Sequence, residues 1–304
     1  MIKNTRYPIG FTNSLSRRDL LKKAAIGAAV LGPMSDYVLG NSDSQVKPSE
    51  FDFPIVDYHV HLYHNPQKAA DLSKSRGVKF GILEHTERGY PVADDKALKT
   101  YIDTLKKYPV YIGLQPLHVN WSKKFSVELL SQLDYVLMDA LTIPQKDGRW
   151  LLIEGTNYKV KDKDSFMKMY VDFNMQVLTT EPIDIFGWTT YLPEDIAEDY
   201  DTLWTDEIMK KMIDAAIKND IAFEINEYAK VPKLKFVKMA KEAGAKFSFG
   251  SDSHQGTNAG IFTYGLELAK KAGLTKEDIF VPKADGKKAV QRFYMKKENA
   301  GTTQ

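Results

Sequence analysis

The chain contains no cysteine, so no disulfide can staple it, no lipidated thiol can anchor it and no thiolate can bind a metal. Any cation it holds must be taken by imidazole nitrogen and oxygen, a donor set that suits zinc, manganese or iron. Charge of one sign is also scarce. The first forty residues hold six Lys/Arg against Asp19 and Asp36, so the remaining residues carry −2 of a total of +2. That balance offers nucleic acid no electrostatic footprint. A long apolar run is missing from the N-terminal region too: Ala24 to Leu31 falls short of the ~20 residues needed to cross a bilayer, and Pro33 and Asp36 interrupt its continuation. What is present is 304 residues with 43% hydrophobic content, enough for one large core and a single α/β domain.

At the N-terminus, Ser16-Arg17-Arg18-Asp19-Leu20-Leu21-Lys22 precedes that weakly apolar stretch. The pattern resembles a twin-arginine export signal, with Leu20 where Phe is commoner. Residues 1–40 are therefore expected to be a processed signal cut near Gly40, and residues 41–53 a polar linker. This implies an exported, periplasmic protein with no stable membrane span after processing.

Beyond the linker the pattern alternates. Strands are expected around Ile55-Val56, 78–83, 110–114, 135–138, 183–186, 221–225 and 246–249, with helices over 67–76, 94–107, 164–178, 205–219, 233–243 and 261–272. The segment 205–219 has the clearest periodicity, with Ile208, Met209, Met212, Ile213, Ala216 and Ile217 on one stripe and Asp206 and Glu207 in its first turn. Gly77 and Gly244 each close a helix before a strand. Seven strand–helix units with short links predict a parallel sheet closed into a seven-stranded (β/α)7 TIM-like barrel over residues 54–282, followed by a C-terminal tail, 283–304. Between Pro144 and Lys161 the alternation pauses, and Lys146-Asp147-Gly148-Arg149 reads as a hairpin turn between two exposed arms.

The six histidines, His59, His61, His64, His85, His118 and His254, all fall at or just after the carboxyl end of an expected strand. That is the face where barrel enzymes build their sites. His59 and His61 are two apart on one strand and project the same way, so both can grip one cation. If the barrel closes, Asp252 and His254 face them from the last strand and His85 from the second. A carboxylate and several imidazoles converging from neighbouring strands make a one- or two-metal site.

Asp57-Tyr58-His59-Val60-His61, Glu84-His85, Glu224-Ile225-Asn226 and Phe249-Gly250-Ser251-Asp252-Ser253-His254 occur in this order on seven strands. They resemble the motifs of the polymerase and histidinol phosphatase (PHP) family of metal-dependent phosphoesterases. The resemblance implies a distorted (β/α)7 barrel with up to three metals at its mouth. The sequence departs from that pattern on strands three to five: Gln115 stands for a bridging glutamate, Asp139 for a histidine, and Trp188 for the histidine of a Gly-His pair. An amide is a weak ligand and an indole offers no lone pair, so the third metal is expected to be absent.

The expected metal ligands are thus His59, His61, His85, Asp252 and His254, holding one or two divalent ions. The expected reaction is hydrolysis of a phosphoester or related bond in a small-molecule substrate by metal-activated water, with Asp252, His254 and His85 as catalytic groups. Glu84, Arg88, Gln115, Asp139, Trp188 and Asn226 would line the substrate pocket, Arg88 as a clamp for an anionic group. Two other readings stand beside this one. A degenerate member of the fold would bind a sugar or other ring without turnover, with Trp188, Tyr191 and Trp121 as stacking walls. An amidohydrolase-type C–N hydrolase also opens with Asp-x-His-x-His, but no lysine here suits the carboxylated position of those barrels.

Overall fold

The structure is a computed structural model that describes residues 46–87, 89–155 and 158–301, the last five as backbone only. The twin-arginine-like segment and Arg88 lie outside the described residues. Seven parallel strands close into a barrel: β1 (Val56–Val60), β2 (Lys79–Ile82, resuming at His85–Thr86), β3 (Tyr111–Pro116), β4 (Tyr135–Met138), β5 (Ile185–Phe186), β6 (Ala222–Asn226) and β7 (Phe247–Gly250). β1 pairs with β2 on one side and with β7 on the other, where Asp57 lies opposite Phe249. The ring continues through Gly81 opposite Tyr111, Gly113 opposite Tyr135, Leu137 opposite Ile185, Phe186 opposite Phe223 and Ser248 opposite Glu224. The β/α barrel expected from the alternation is therefore present, with seven strands.

Closure is written into residue size. The Tyr135 side chain crosses the barrel interior and its hydroxyl donates to the Tyr58 carbonyl at 2.7 Å. Gly81 and Gly113 let it pass, because a Cβ on either would collide with the Tyr135 ring. Outside the barrel, Phe223, Phe236 and Phe247 are fully buried between strands and helices, each contributing on the order of 2–3 kcal/mol of hydrophobic stabilisation.

The surrounding helices include α1 (Pro66–Arg76), α2 (Asp95–Leu105), α3 (Val127–Leu130), α4 (Lys163–Thr180), α5 (Asp206–Asn219), α6 (Leu234–Glu242), α7 (Tyr264–Ala272) and α8 (Ala289–Gly301), with one further turn of helix at Tyr200–Leu203. Several begin where a short polar side chain accepts the first free amides: Asn65 from Lys68, Asp94 from Ala97, Asp162 from Ser165 and Thr205 from Ile208. α7 starts at Tyr264 rather than at Ile261, because the Glu227 carboxylate accepts the amides of Thr263, Tyr264 and Gly265. The end of the segment read as a linker is packed: Phe53 is buried and stacks on Phe249 at 6.4 Å. In the tail, α8 buries Val290.

The pause in alternation is a hairpin, Thr142–Pro144 antiparallel to Trp150–Leu152, with Gly148 in its turn at φ 81°. Its arms are only partly exposed. Ile143 and the following Ile153 are buried in the core, and Trp150 stacks on His118, which follows β3, at 3.6 Å and 14°. The excursion is thereby held against the carboxyl-end face of the barrel.

Candidate metal centre

β1 carries His59 and His61 to the carboxyl end of the barrel, and Asp252 reaches them from the loop after β7. Asp252 Oδ1 lies 3.3 Å from His59 Nε2, 3.7 Å from His61 Nε2 and 3.4 Å from His254 Nε2. Donor atoms of His59, His61 and Asp252 all lie within 4.8 Å of one another. These separations are longer than hydrogen bonds. Two donors each about 2.1 Å from a tetrahedral ion stand roughly 3.4 Å apart, so the spacing suits a shared cation.

The environment of His59 supports that fit. Its Nδ1 meets Glu224 Oε1 at 2.6 Å, and both side chains are fully buried. A ring nitrogen against a carboxylate oxygen carries the proton there, which leaves the Nε2 lone pair aimed at Asp252. His59 Nε2 has no hydrogen-bond partner, and two facing lone pairs repel unless a cation or proton lies between them. A carboxylate behind a ligating imidazole fixes its tautomer and raises its basicity. Glu224 is itself held by the Trp188 amide at 2.8 Å and by Asn226 Nδ2 at 3.1 Å. Gly250, on the neighbouring strand, has no Cβ because one would collide with Glu224 Oε1 and crowd His59.

Asp57, the first residue of the Asp-x-His-x-His run, is not in the donor group. Its buried carboxylate accepts the amides of Ser251 at 2.9 Å and Gly260 at 2.6 Å, tying β1 to the loop that carries Asp252. Asp252 sits in the left-handed region at φ 54°, and Trp188 at φ 48°. Neither is glycine, and backbone strain of this kind costs on the order of 1–3 kcal/mol at each residue. The two are joined, since Trp188 Nε1 donates to Asp252 Oδ2 at 2.9 Å.

The charges sort by position. Burial opposes protonation of His59, but Asp252 and Glu224 outweigh it and push its pKa up to about 10 without a metal. Burial would raise Asp252, yet the adjoining histidines hold it well below the usual carboxylate range. His61 is pushed far down by burial and by the neighbouring imidazoles of His59 and His254. His85 is pushed down to about 3 by burial, His61 and His59. Both therefore stay neutral near pH 7, the form in which imidazole binds metal.

The other expected residues separate into neighbours and bystanders. His85 packs on His61 at 4.8 Å, with its buried Nδ1 unpartnered. His254 stacks on His61 at 4.2 Å and 3°, its side chain 62% exposed at the mouth. Glu84 Oε2 is 3.9 Å from His61 Nδ1, and burial raises its pKa. Gln115 Nε2 donates to Asp139 Oδ2 at 3.0 Å, and Asp139 Oδ1 accepts the Leu141 amide. Asn226 braces Glu224 rather than facing the cluster. His64 is exposed on its loop, and His118 pairs with Glu87 at 3.3 Å. Trp121 is fully buried in the core and forms no pocket wall.

Three contributors have no role assigned from the sequence. Glu224 and Gly250 stand inside the motifs Glu224-Ile225-Asn226 and Phe249-Gly250-Ser251-Asp252-Ser253-His254, but a motif does not say what its glutamate or glycine touches. Glu154, after the hairpin, lines a pocket with Trp188, and desolvation and the charges of Asp252 and Asp139 raise its pKa.

No family model and no curated protein matches the sequence. Among solved structures, a phospho-2-dehydro-3-deoxyheptonate aldolase from Thermotoga maritima aligns with 88% of this chain and 74% of its own at 14% identity and a TM-score of 0.36. A citrate lyase from Burkholderia xenovorans LB400 aligns with 88% of this chain and 97% of its own at 10% identity and a TM-score of 0.33. A GH113 β-1,4-mannanase aligns with 80% of this chain and 98% of its own at 10% identity and a TM-score of 0.23. Similarity at this level speaks to neither chemistry nor substrate.

Proposed function

We propose that the protein is an exported metal-dependent hydrolase of PHP type that cleaves a phosphoester or a related bond in a small molecule. The observation that carries this reading is the meeting of three imidazole Nε2 atoms around one carboxylate oxygen, Asp252 Oδ1, at 3.3–3.7 Å, with the unpartnered His59 Nε2 backed by Glu224. His59, His61 and Asp252 would hold one divalent ion, and His85 and His254 flank the place for a second. When bound, such an ion supplies charge for an ester oxygen and acidifies water. Glu224 keeps His59 in the tautomer that presents Nε2. Asp57 holds the Ser251–Gly260 loop so that Asp252 stays in register. His254, exposed at the mouth, is placed to give a proton to a leaving group. Trp188 on Asp252 Oδ2 leaves that carboxylate a single free oxygen, which favours a reduced metal complement.

One observation favours binding without turnover: after β4 and after β5, Asp139 and Trp188 are engaged by Gln115 Nε2 and Asp252, leaving Gln115 Oε1 the one free polar atom of the three side chains. Two measurements divide the readings. The purified chain should retain about one zinc, manganese or iron per protein by elemental analysis, and His59→Ala should lose it. With manganese or zinc added, phosphomonoesters, phosphodiesters and amides are then assayed side by side. Metal bound with every substrate inert would favour the binder, and no metal retained would remove the hydrolase reading.

A further inference from the structure

Beside the metal group, and sharing one wall with it, lies a second concavity. It is a pocket of about 370 Å³ lined by Trp188, Tyr191, Leu192, Tyr228, Glu154 and Lys230. That volume is at the lower end of the ~300–1,000 Å³ typical of ligand pockets, room for one ring rather than an oligomer. Trp188 meets Tyr191 edge to face at 5.1 Å and 80°, and Tyr228 at 6.0 Å and 62°. The three rings form a corner in which a further ring can stack. Tyr228 is 65% exposed, so its ring is free at the pocket edge.

The polar positions also point to a ligand. Lys230 sits at φ 53° and has no ion-pair partner among the described residues, and Thr190, close by, sits at φ 60°. Of these left-handed non-glycine residues, Trp188 and Lys230 line the pocket, and such strain collects at ligand clamps. Glu154 lines the pocket together with Trp188. The indole connects the pocket and the donor group directly: its N–H bonds Asp252 Oδ2 while its ring faces the pocket.

We infer that this pocket is the specificity subsite of the proposed hydrolase, and that the substrate's non-phosphoryl part is a single six-membered ring packed against the face lined by Tyr228, Tyr191 and the edge of Trp188. The inference rests on the proposed hydrolysis for the bond cleaved, but the pocket itself stands apart from the metal ligands. Lys230 and Glu154 select polar substituents on the ring. The ring is either aromatic or a hexose, since both present flat faces to tryptophan and tyrosine.

Titration calorimetry on the metal-loaded full chain with phenylphosphonate, glucose 1-phosphate and methylphosphonate tests this. At least one ring-bearing probe should bind about tenfold tighter than methylphosphonate, consistent with one aromatic contact of order 1 kcal/mol, and which one does identifies the ring. Tyr228→Ala, at an exposed position that folding does not need, should bring that ratio near one, and Tyr228→Phe should keep it. Equal binding of ring and methyl probes, or a ratio untouched by both Tyr228→Ala and Tyr191→Ala, overturns the inference. To separate its failure from that of the hydrolase reading, phenol and methyl glucoside are titrated against tryptophan fluorescence in His59→Ala. Saturable quenching that Tyr228→Ala removes keeps the subsite even if no phosphoester is cleaved.

Discussion

The barrel mouth is divided into two arcs that treat polar atoms differently. From β7 through β1 to β2, buried imidazole nitrogens stand without partners: His59 Nε2, His61 Nδ1 and His85 Nδ1. From β3 to β5, the polar groups satisfy one another except at Gln115 Oε1, with Gln115 Nε2 on Asp139, Asp139 on the Leu141 amide and Trp188 on Asp252. A buried polar atom left unpaired costs about 1–3 kcal/mol, so three in one arc are hard to keep unless something binds them. The first arc is arranged for a ligand the chain does not contain, and the second is arranged as scaffold. Trp188 belongs to both, because it closes the scaffold arc and occupies one oxygen of the ligand arc.

The sharpest way to break this contrast is to ask what fills the gap when metal is withheld. Without a cation, a proton on His59 between Glu224 and Asp252 is the substitute, and its folded pKa rises to about 10 from an ordinary value of 6.5. The folded state then binds more protons than the unfolded state between those limits, so stability falls as pH rises through them. In chelator, the contribution should be complete below about pH 6.5 and gone above about pH 10, an effect on the order of a few kcal/mol. Urea midpoints at pH 6, 8 and 10 measure it, and His59→Gln should flatten that component. A wild-type profile as flat as the variant's would mean the ligand arc is not held by charge.

The contrast sharpens at Glu224, which is not itself among the donors but holds the ligand His59 by its Nδ1. Glu224→Gln keeps the shape and a hydrogen-bonding group while removing the charge behind His59. Metal affinity should fall about 10–100-fold, as is usual when such a supporting carboxylate is altered, with the thermal midpoint of the metal-free protein much less affected. Competition with a fluorescent zinc chelator reads this directly. Unchanged affinity would make Glu224 a packing residue only.

Glu224 also marks the limit of what sequence carries. The seven strands, the position of His59 and His61 at the end of β1 and the approach of Asp252 from the last strand were legible, because strand periodicity and closure of a parallel ring dictate them. The role of Asp57 was not, since nothing local marks a carboxylate that backbone amides 194 and 203 residues away will claim. Gly250 was silent for a related reason: the absence of a Cβ matters only against a neighbour on another strand. The exposed arms expected of the hairpin became partly buried because Trp150 found His118, a contact between segments that no local pattern links.

The smallest effect tests the residue shared by both arcs. Trp188→Phe keeps a ring of similar shape against Tyr191 and Tyr228 but deletes the N–H that donates to Asp252 Oδ2. Losing one hydrogen bond to a charged acceptor should cost about 1.5–3 kcal/mol if Oδ2 is left without a partner, and less if water reaches it, since Asp252 is not fully buried. The freed oxygen can then turn toward a cation, so metal should offset part of the loss. The expected result is a lower thermal midpoint in chelator and a smaller deficit with zinc, compared with wild type under the same two conditions. A deficit equal in both would place Trp188 wholly in the scaffold, with the indole bond to Asp252 serving the fold and not the metal group.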